Sequence, residues 1–485
     1  MNVILICAVI LLVCAVSSKV LYRFGIPTLI LFLTIGMLMG SEGPGGIYFD
    51  NAQLAENICN LALLIIIFSG GFDTNWKTAR PVAFASGVLA SIGVVLTALL
   101  VGAFAHHVLG FTLLEGLLLG SIISSTDYAS VFSILRSQQS DLKNNLAPLL
   151  EMESGSNDPT ANMLTVIFLG LLVGESQNIG FMILTQIAVG AFFGVFVGKT
   201  AVWLINRINL DIDGLYPIMV IGVALLTYSG AGLLAGNGFL AAYITGLIMG
   251  NSKLVNKVSL VRYFDGLSWL MQILLFMTLG LLVFPSQLLS IAVSGVLVAV
   301  FLIFVARPVV IFLVLSVFKR PVKEQLLVSW VGFRGAASIV FATYPLTAGI
   351  PMAEEIFNIV FFVALVSVLL QGTLLIPIAK KLNLMEPEGT ILRTFTDYSG
   401  EIYAELLEVT IPEGSPLARR AIMDLDISPD VLIMMIKREG KMITPRGKTV
   451  LQAGDTLMLA GDNDVLLEID ARARSQSDDS FTSPA

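Results

Sequence analysis

From residue 3 to residue 381 the chain is one apolar run after another, each parted from the next by a short polar loop. A membrane span needs about 20 mostly apolar residues to cover the hydrocarbon, fewer where a helix is broken or shielded by protein. Thirteen segments meet that condition, near 3–22, 26–40, 57–70, 82–108, 112–136, 148–173, 180–206, 214–233, 236–250, 264–284, 287–318, 325–347 and 355–381. With 56% of 485 residues apolar and only 13% charged, the chain carries more apolar surface than a water-soluble core of this length uses. It reads as an all-α polytopic membrane protein. The first run, "NVILICAVILLVCAV", has no basic residue before it and no small-residue cleavage site after it, so it reads as a membrane helix and not as a cleaved signal.

The count of thirteen is tested by the basic residues, because cytoplasmic loops hold an excess of Lys and Arg. Alternate loops carry Lys19 and Arg23; Lys77 and Arg80; Arg136 and Lys143; Lys199 and Arg207; Lys253, Lys257 and Arg262; Lys319, Arg320 and Lys323; then Lys380 and Lys381. The loops between them offer Glu42, Asp50 and Glu56, or His106 and His107, or Glu175, or Glu354 and Glu355. This places the N-terminus outside and the C-terminus in the cytoplasm, which requires an odd number of spans. A wrong count would scramble the alternation from the error onward.

After Lys381 charge rises and apolar runs shorten. The expected organisation is a membrane domain over 1–385, a linker over 386–399, a small α/β cytoplasmic domain over 400–471 and an unstructured tail over 472–485. Within the small domain "EIYAELLEVTI" and "DTLMLAGD" alternate like strands, "SPLARRAIMDL" opens as a helix would, and "VLIMMIKREGKMITP" forms a hairpin turning at Glu439 and Gly440. Cys7, Cys14 and Cys59 have no metal-ligand spacing, which leaves them as packing residues. A net charge of −7 and a pI near 5.0 argue against nucleic acid as a partner.

Function is written in the charges that a bilayer should exclude. Away from the helix ends, the spans contain Asp127, Glu153, Asp158, Arg307 and Arg334. An isolated charge at the bilayer centre costs about 2.5–3.5 kcal/mol on insertion scales, so such residues pair, face water or serve transport. Three acids and two guanidiniums leave one acid over. Ser121, Ser124, Ser125 and Thr126 precede Asp127, while Gly332 and Gly335 flank Arg334, so the fifth and twelfth segments both look breakable in mid-membrane. They are seven apart, as two inverted six-helix repeats would place them. Asp127 and Arg334 then serve as counter-charges for the facing half-helix ends and for each other.

On the sixth segment a spacing of four puts Glu153 with Asn157 on one stripe and Ser154 with Asp158 on the next. Pro159 has no N–H, so the Gly155 carbonyl loses its intrahelical partner. Glu153 can be neutralised by Arg307, which leaves Asp158 as the acid without an arginine, beside Ser154, Thr126 and Asn157. One acid that holds either a proton or a metal ion is the minimum equipment of an exchanger. For Asp127 with Arg334, and for Glu153 with Arg307, a structural ion pair and direct ion contact both stand open.

The set "STD" at Ser125–Asp127, "ESGSNDP" at Glu153–Pro159, "ARP" around Arg307 and "GFRGAAS" around Arg334, in this order on thirteen helices, resembles the NhaP-type monovalent cation/proton antiporters over residues 1–381. The segment from "IPEGSPLARR" to "DTLMLAGD" resembles the C-terminal subdomain of RCK (TrkA-C) regulatory modules. The resemblance implies a homodimer in membrane lipid, with a scaffold half and a mobile core half working as an elevator, and the architecture suggests a bacterial inner membrane. It implies that Asp158 binds the ion with Asn157 in support, and the residue pattern adds Ser154, Thr126 and Asp127 around it. It also implies that Asp127–Arg334 and Glu153–Arg307 stabilise the core. Asn before the key Asp goes with electroneutral exchange in that family. Sodium-transporting relatives often place a Glu where this chain has Ser69, and its absence, with the RCK-like domain, favours potassium. A nucleotide or cyclic di-AMP is the regulator the resemblance suggests, although no G-x-G-x-x-G loop occurs.

Exchange of K⁺ for H⁺ is therefore the leading expectation, with Na⁺/H⁺ exchange by the same chemistry as its alternative. An RCK-gated potassium channel would need a T-V-G-Y-G type filter, which the chain lacks. An enzyme is disfavoured because the spans hold no nucleophile–base pair and the whole chain has two histidines. No cofactor is expected beyond the transported ions.

Overall fold

The structure is a computed structural model and describes residues 28–137, 142–174, 178–208, 210–386, 405–425, 427–428, 431–438, 441–461 and 463–474, with scattered positions between 5 and 16. The chain divides into two units, residues 1–392 and 393–485. Most of the first expected span, the Glu439–Gly440 turn, nearly all of the expected linker and most of the tail lie outside the described residues.

The first unit is helical. Its helices are α1 (Thr28–Met39), α2 (Ala52–Asp73), α3 (Ala83–Leu109), α4 (Leu113–Ile122), α5 (Tyr128–Ser137), α6 (Leu146–Leu172) and α7 (Ile179–Arg207). There follow α8 (Leu215–Leu233), α9 (Gly238–Gly250), α10 (Lys257–Leu282), α11 (Ala292–Val317), α12 (Val322–Trp330), α13 (Ala336–Ala348) and α14 (Ala353–Lys381). Seven of these, α2, α3, α7, α8, α10, α11 and α14, are by themselves long and apolar enough to cross a membrane. The run expected over 287–318 is a short helix, Pro285–Ser290, followed by α11 as one helix.

Local chemistry starts several of them. The side chains of Asn51, Asn178 and Asn237 accept hydrogen bonds from the Leu54, Phe181 and Leu240 N–H groups, satisfying donors that a helix start leaves orphaned. Thr112 and Glu115 form a reciprocal capping box at the head of α4. Between helices in lipid there is little hydrophobic gain, so close backbone approach carries the packing. On α9, Gly246 and Gly250 lie against the Phe68 and Phe72 carbonyls of α2, where a Cβ would collide with the backbone.

Two interruptions organise the interior. Residues 123–127 separate α4 from α5, and residues 331–335 separate α12 from α13. They meet where the Asp127 N–H donates to the Phe333 carbonyl at 2.9 Å.

The second unit holds a four-stranded antiparallel sheet in the order β1-β4-β2-β3, from β1 (Glu405–Thr410), β2 (Leu432–Arg438), β3 (Lys441–Ile443) and β4 (Thr456–Gly461). α15 (Asn463–Arg474) packs on β1 and β4, burying Leu466 and Ile469 with Val409, Leu457 and Leu459. Two expectations are corrected here. The stretch beginning at Ser415 is not an α-helix but turns and a 3-10 helix over Ile422–Asp424. Its backbone is claimed elsewhere: the Arg419 and Ile422 N–H groups donate to the Leu451 and Thr449 carbonyls, and Arg419 sits at φ 63°. A helix also lies where the sequence suggested the start of a polar tail, because α15 turns one apolar face onto the sheet.

Candidate ion-binding site

The site is built around the two interruptions and the middle of α6. Arg334, buried, gives Nη1 to the carbonyls of Ser124 (2.6 Å) and Ser125 (2.7 Å), placing a cation at the C-terminal end of α4 where the helix dipole is negative. Asp127 accepts from the Ser130 hydroxyl at 2.7 Å and the Ser130 N–H at 3.3 Å, placing an anion at the head of α5. Its carboxyl occupies the space that a Cβ at Gly335 would fill, so a glycine is required there. The two charges are thus each committed to the facing half-helix ends.

The interruption at 331–335 is satisfied from α14. Ser367 Oγ accepts from the Arg334 N–H at 3.1 Å and donates to Gln371 Oε1 at 2.5 Å. Gln371 Nε2 donates to the Trp330 carbonyl at 2.7 Å, and the Trp330 indole donates back to the Gln371 carbonyl at 3.1 Å. Sequence reasoning missed Ser367 and Gln371. The available signal was two polar residues four apart in the apolar run "LVSVLLQGTLL".

The interruption at 123–127 faces α6. Ser154 Oγ donates to the Thr126 carbonyl at 2.6 Å, Asn157 Nδ2 donates to Thr126 Oγ1 at 2.6 Å, and the Thr126 N–H reaches Asn157 Oδ1 at 3.4 Å. Asn157 therefore anchors the unwound backbone. The Ser125 hydroxyl donates to Asp158 Oδ1. Ser125 belongs to the quoted "STD" run but was not singled out as a site residue, since spacing alone could not tell which hydroxyl faces α6. Asp158 is half-buried among buried neighbours, and among the described residues no Arg or Lys pairs with it.

One helical turn away, Glu153 Oε1 and Arg307 Nη1 stand 2.5 Å apart, both buried. Asp158, Asn157, Ser154 and Thr126 thus come together, Glu153 and Arg307 form a pair, and Asp127 turns to Ser130 and Gly335 while its charge stays within reach of Asp158. Chemically, the group offers one carboxylate with hydroxyl, amide and carbonyl oxygens around it, which suits a hard monovalent cation or a proton.

Residues 8–381 match the transmembrane sodium/hydrogen exchanger family, and residues 406–473 match the TrkA-C domain. The chain is 37% identical over 449 residues to the K(+)/H(+) antiporter NhaP of Alkalimonas amylolytica, covering 91% of this chain and 78% of that one. It is 39% identical over 382 residues to the K(+)/H(+) antiporter NhaP2 of Shewanella sp. strain ANA-3, covering 78% of this chain and 66% of that one. The solved structure of the sodium proton antiporter MjNhaP1 from Methanocaldococcus jannaschii superposes with a TM-score of 0.69 at 26% identity, over 77% of this chain and 97% of that one.

Proposed function

The chain belongs to the sodium/hydrogen exchanger family and carries a TrkA-C domain, and from that premise we propose that it is a K⁺/H⁺ antiporter in which Asp158 binds cation and proton in alternation. One observation carries the reading: Asp158 takes a hydrogen bond from the Ser125 hydroxyl with no basic partner among the described residues, while Glu153 nearby has Arg307. An acid without a fixed counter-charge must be neutralised by something mobile. A proton and an alkali ion compete for the same oxygens, so loading one expels the other. Asn157, neutral, leaves a single exchangeable charge, which makes a one-for-one, electroneutral cycle.

The remaining parts of the proposal follow from this centre. Thirteen spans in two inverted six-helix repeats bring the interruptions to the midplane, and the core moves against the scaffold of a homodimer to present Asp158 to either side in turn. The N-terminus is outside and the C-terminus in the cytoplasm of a bacterial inner membrane, with the membrane domain over 1–385, the linker over 386–399, the regulatory domain over 400–471 and a tail to 485. A small molecule, a nucleotide or cyclic di-AMP, binds the TrkA-C domain and biases transport. Two relatives are named K(+)/H(+) antiporters, which supports potassium. The structural relative is titled a sodium proton antiporter, which keeps Na⁺/H⁺ exchange as the second reading.

The test uses everted vesicles in which a pH-sensitive dye is quenched by respiration. Added K⁺ dequenches the dye for the native chain, and Asp158→Asn abolishes the response. A parallel series with Na⁺, Rb⁺ and Li⁺ assigns the cation. Full K⁺-driven exchange by the Asp158→Asn chain would remove this residue from the mechanism.

A further inference from the structure

Buried polar side chains in folded proteins are almost always paired, yet Tyr243 on α9 is 4% exposed and its hydroxyl has no hydrogen-bond partner. The ring packs against α6 at Gly155: a Cβ there would stand 2.9 Å from Tyr243 Cε2 and 3.4 Å from the phenolic oxygen. Gly155 is three residues before Asp158, on the same side of α6 and about 4.5 Å nearer its N-terminus. That end of α6 follows the basic loop at Lys143, which the proposed orientation puts on the cytoplasmic side, so Tyr243 lies to the cytoplasmic side of Asp158.

Two further oxygens lie close by. The Gly155 carbonyl has no intrahelical donor at position 159, because that residue is proline. The buried Thr74 hydroxyl faces Tyr243 from the end of α2 without meeting hydrogen-bond geometry, and gives its own proton to the Gly70 carbonyl at 2.7 Å. A phenol, an alcohol and a freed carbonyl, from three helices, thus offer neutral oxygens one turn from the exchangeable acid, with the Glu151 carboxylate one turn earlier on α6 adding negative potential. Neutral oxygens of this kind replace the hydration shell of an alkali cation. They give a proton nowhere to bind at neutral pH, since a phenol ionises near pH 10.

We propose that the Tyr243 hydroxyl, with Thr74 Oγ1 and the Gly155 carbonyl, forms a way-station for a partly dehydrated monovalent cation between the cytoplasm and Asp158. This rests on the exchange reading above and adds a second ion contact to it. The way-station acts on the cation limb alone: it raises the occupancy of Asp158 by metal and leaves proton binding untouched.

Tyr243→Phe keeps the ring and removes only the oxygen. Initial exchange rates of the full chain in proteoliposomes, measured against K⁺ at fixed pH and against pH at saturating K⁺, separate the two limbs. The expected result is a KM for K⁺ raised about threefold or more, with the saturated rate and the pH profile unchanged; Thr74→Val, of matching shape, reproduces this split. A KM within experimental error of the native chain, or a reduced saturated rate at constant KM, overturns the way-station. Should Tyr243→Phe fail to reach the membrane, Thr74→Val decides by the same criteria. Absence of exchange by the native chain sinks the exchange reading itself, whereas native exchange with unchanged KM in the variants sinks only the way-station.

Discussion

Asp455 in the second unit and Asp158 in the first are carboxylates withdrawn from bulk water in opposite company. Asp455 is fully buried, accepts from Arg438 Nε and Nη2 at 2.7 Å each, and takes a third bond from the Gln452 N–H at 2.8 Å. The Arg438 hydrogen bonds hold its carboxyl below the usual carboxylate range. Asp158 keeps partial exposure, takes a hydrogen bond from Ser125, and has no Arg or Lys paired with it among the described residues. Glu153, clamped by Arg307, shows the first arrangement inside the membrane unit as well. A fixed positive partner makes an acid part of the architecture, and withholding one leaves it available to mobile ions. On the proposed reading, the same side-chain chemistry serves folding or exchange according to what stands beside it.

This contrast can be broken at several points. The largest effect is expected at Asp158→Asn, which should silence K⁺-driven proton movement while leaving the thermal unfolding of the purified chain within error of the native value. Glu153→Gln should do the reverse in kind: Arg307 becomes an uncompensated buried charge, at a cost of about 3–5 kcal/mol, read as a fall in Tm and in membrane yield. Asp455→Asn should loosen the second unit by about 1.5–3 kcal/mol, the range for hydrogen bonds to charged groups, seen as faster amide exchange along β4. The same pair sets an acid limit. Folding lowers the Asp455 pKa below its ordinary 3.8, so the stabilisation is whole above that value and is lost as pH falls through the folded-state pKa. Protection of β4 should therefore hold from neutral pH down to about 4 and collapse below it, whereas the Asp455→Asn chain should lack that step. The smallest effect is expected at Gln371→Ala, where the Trp330 carbonyl loses a donor, for about 1–3 kcal/mol of membrane-unit stability and little change in cation KM.

Much of the membrane unit was legible because its constraints are one-dimensional. Chain length against bilayer thickness finds spans, and a Pro or a Gly-flanked arginine in an apolar run marks a weak point in a helix. The interruptions at 123–127 and 331–335 fall where Ser125–Asp127 and Gly332–Gly335 suggested, and the inventory of five internal charges already implied an acid left over. What stayed hidden were partners drawn from far along the chain. The sequence set Arg334 against the facing half-helix end but not on the Ser124 and Ser125 carbonyls in particular, Ser367 and Gln371 showed only as two polar residues four apart, and Tyr243 against Gly155 had no local signal. In the second unit the failure was local propensity itself: Ser415 and Pro416 look like a helix start, but cross-chain bonds to residues 449–451 offered the backbone a better partner.

Sequence by itself determined that the chain spans a membrane, that two helices break there, and that one buried acid exceeds the available arginines, because hydrophobic length and charge balance are properties of the string. The sequence also proposed Arg307 for Glu153, but only tertiary structure decided the contacts by which one acid is paired and the other is not. Glu153 and Asp158 are five residues apart on one helix and chemically equivalent, and α11 brings Arg307 within 2.5 Å of the first while the second meets the Ser125 hydroxyl. Coulomb attraction and hydrogen bonding act over a few ångströms, so the contacts that enforce the choice belong to helix packing and not to the order of residues.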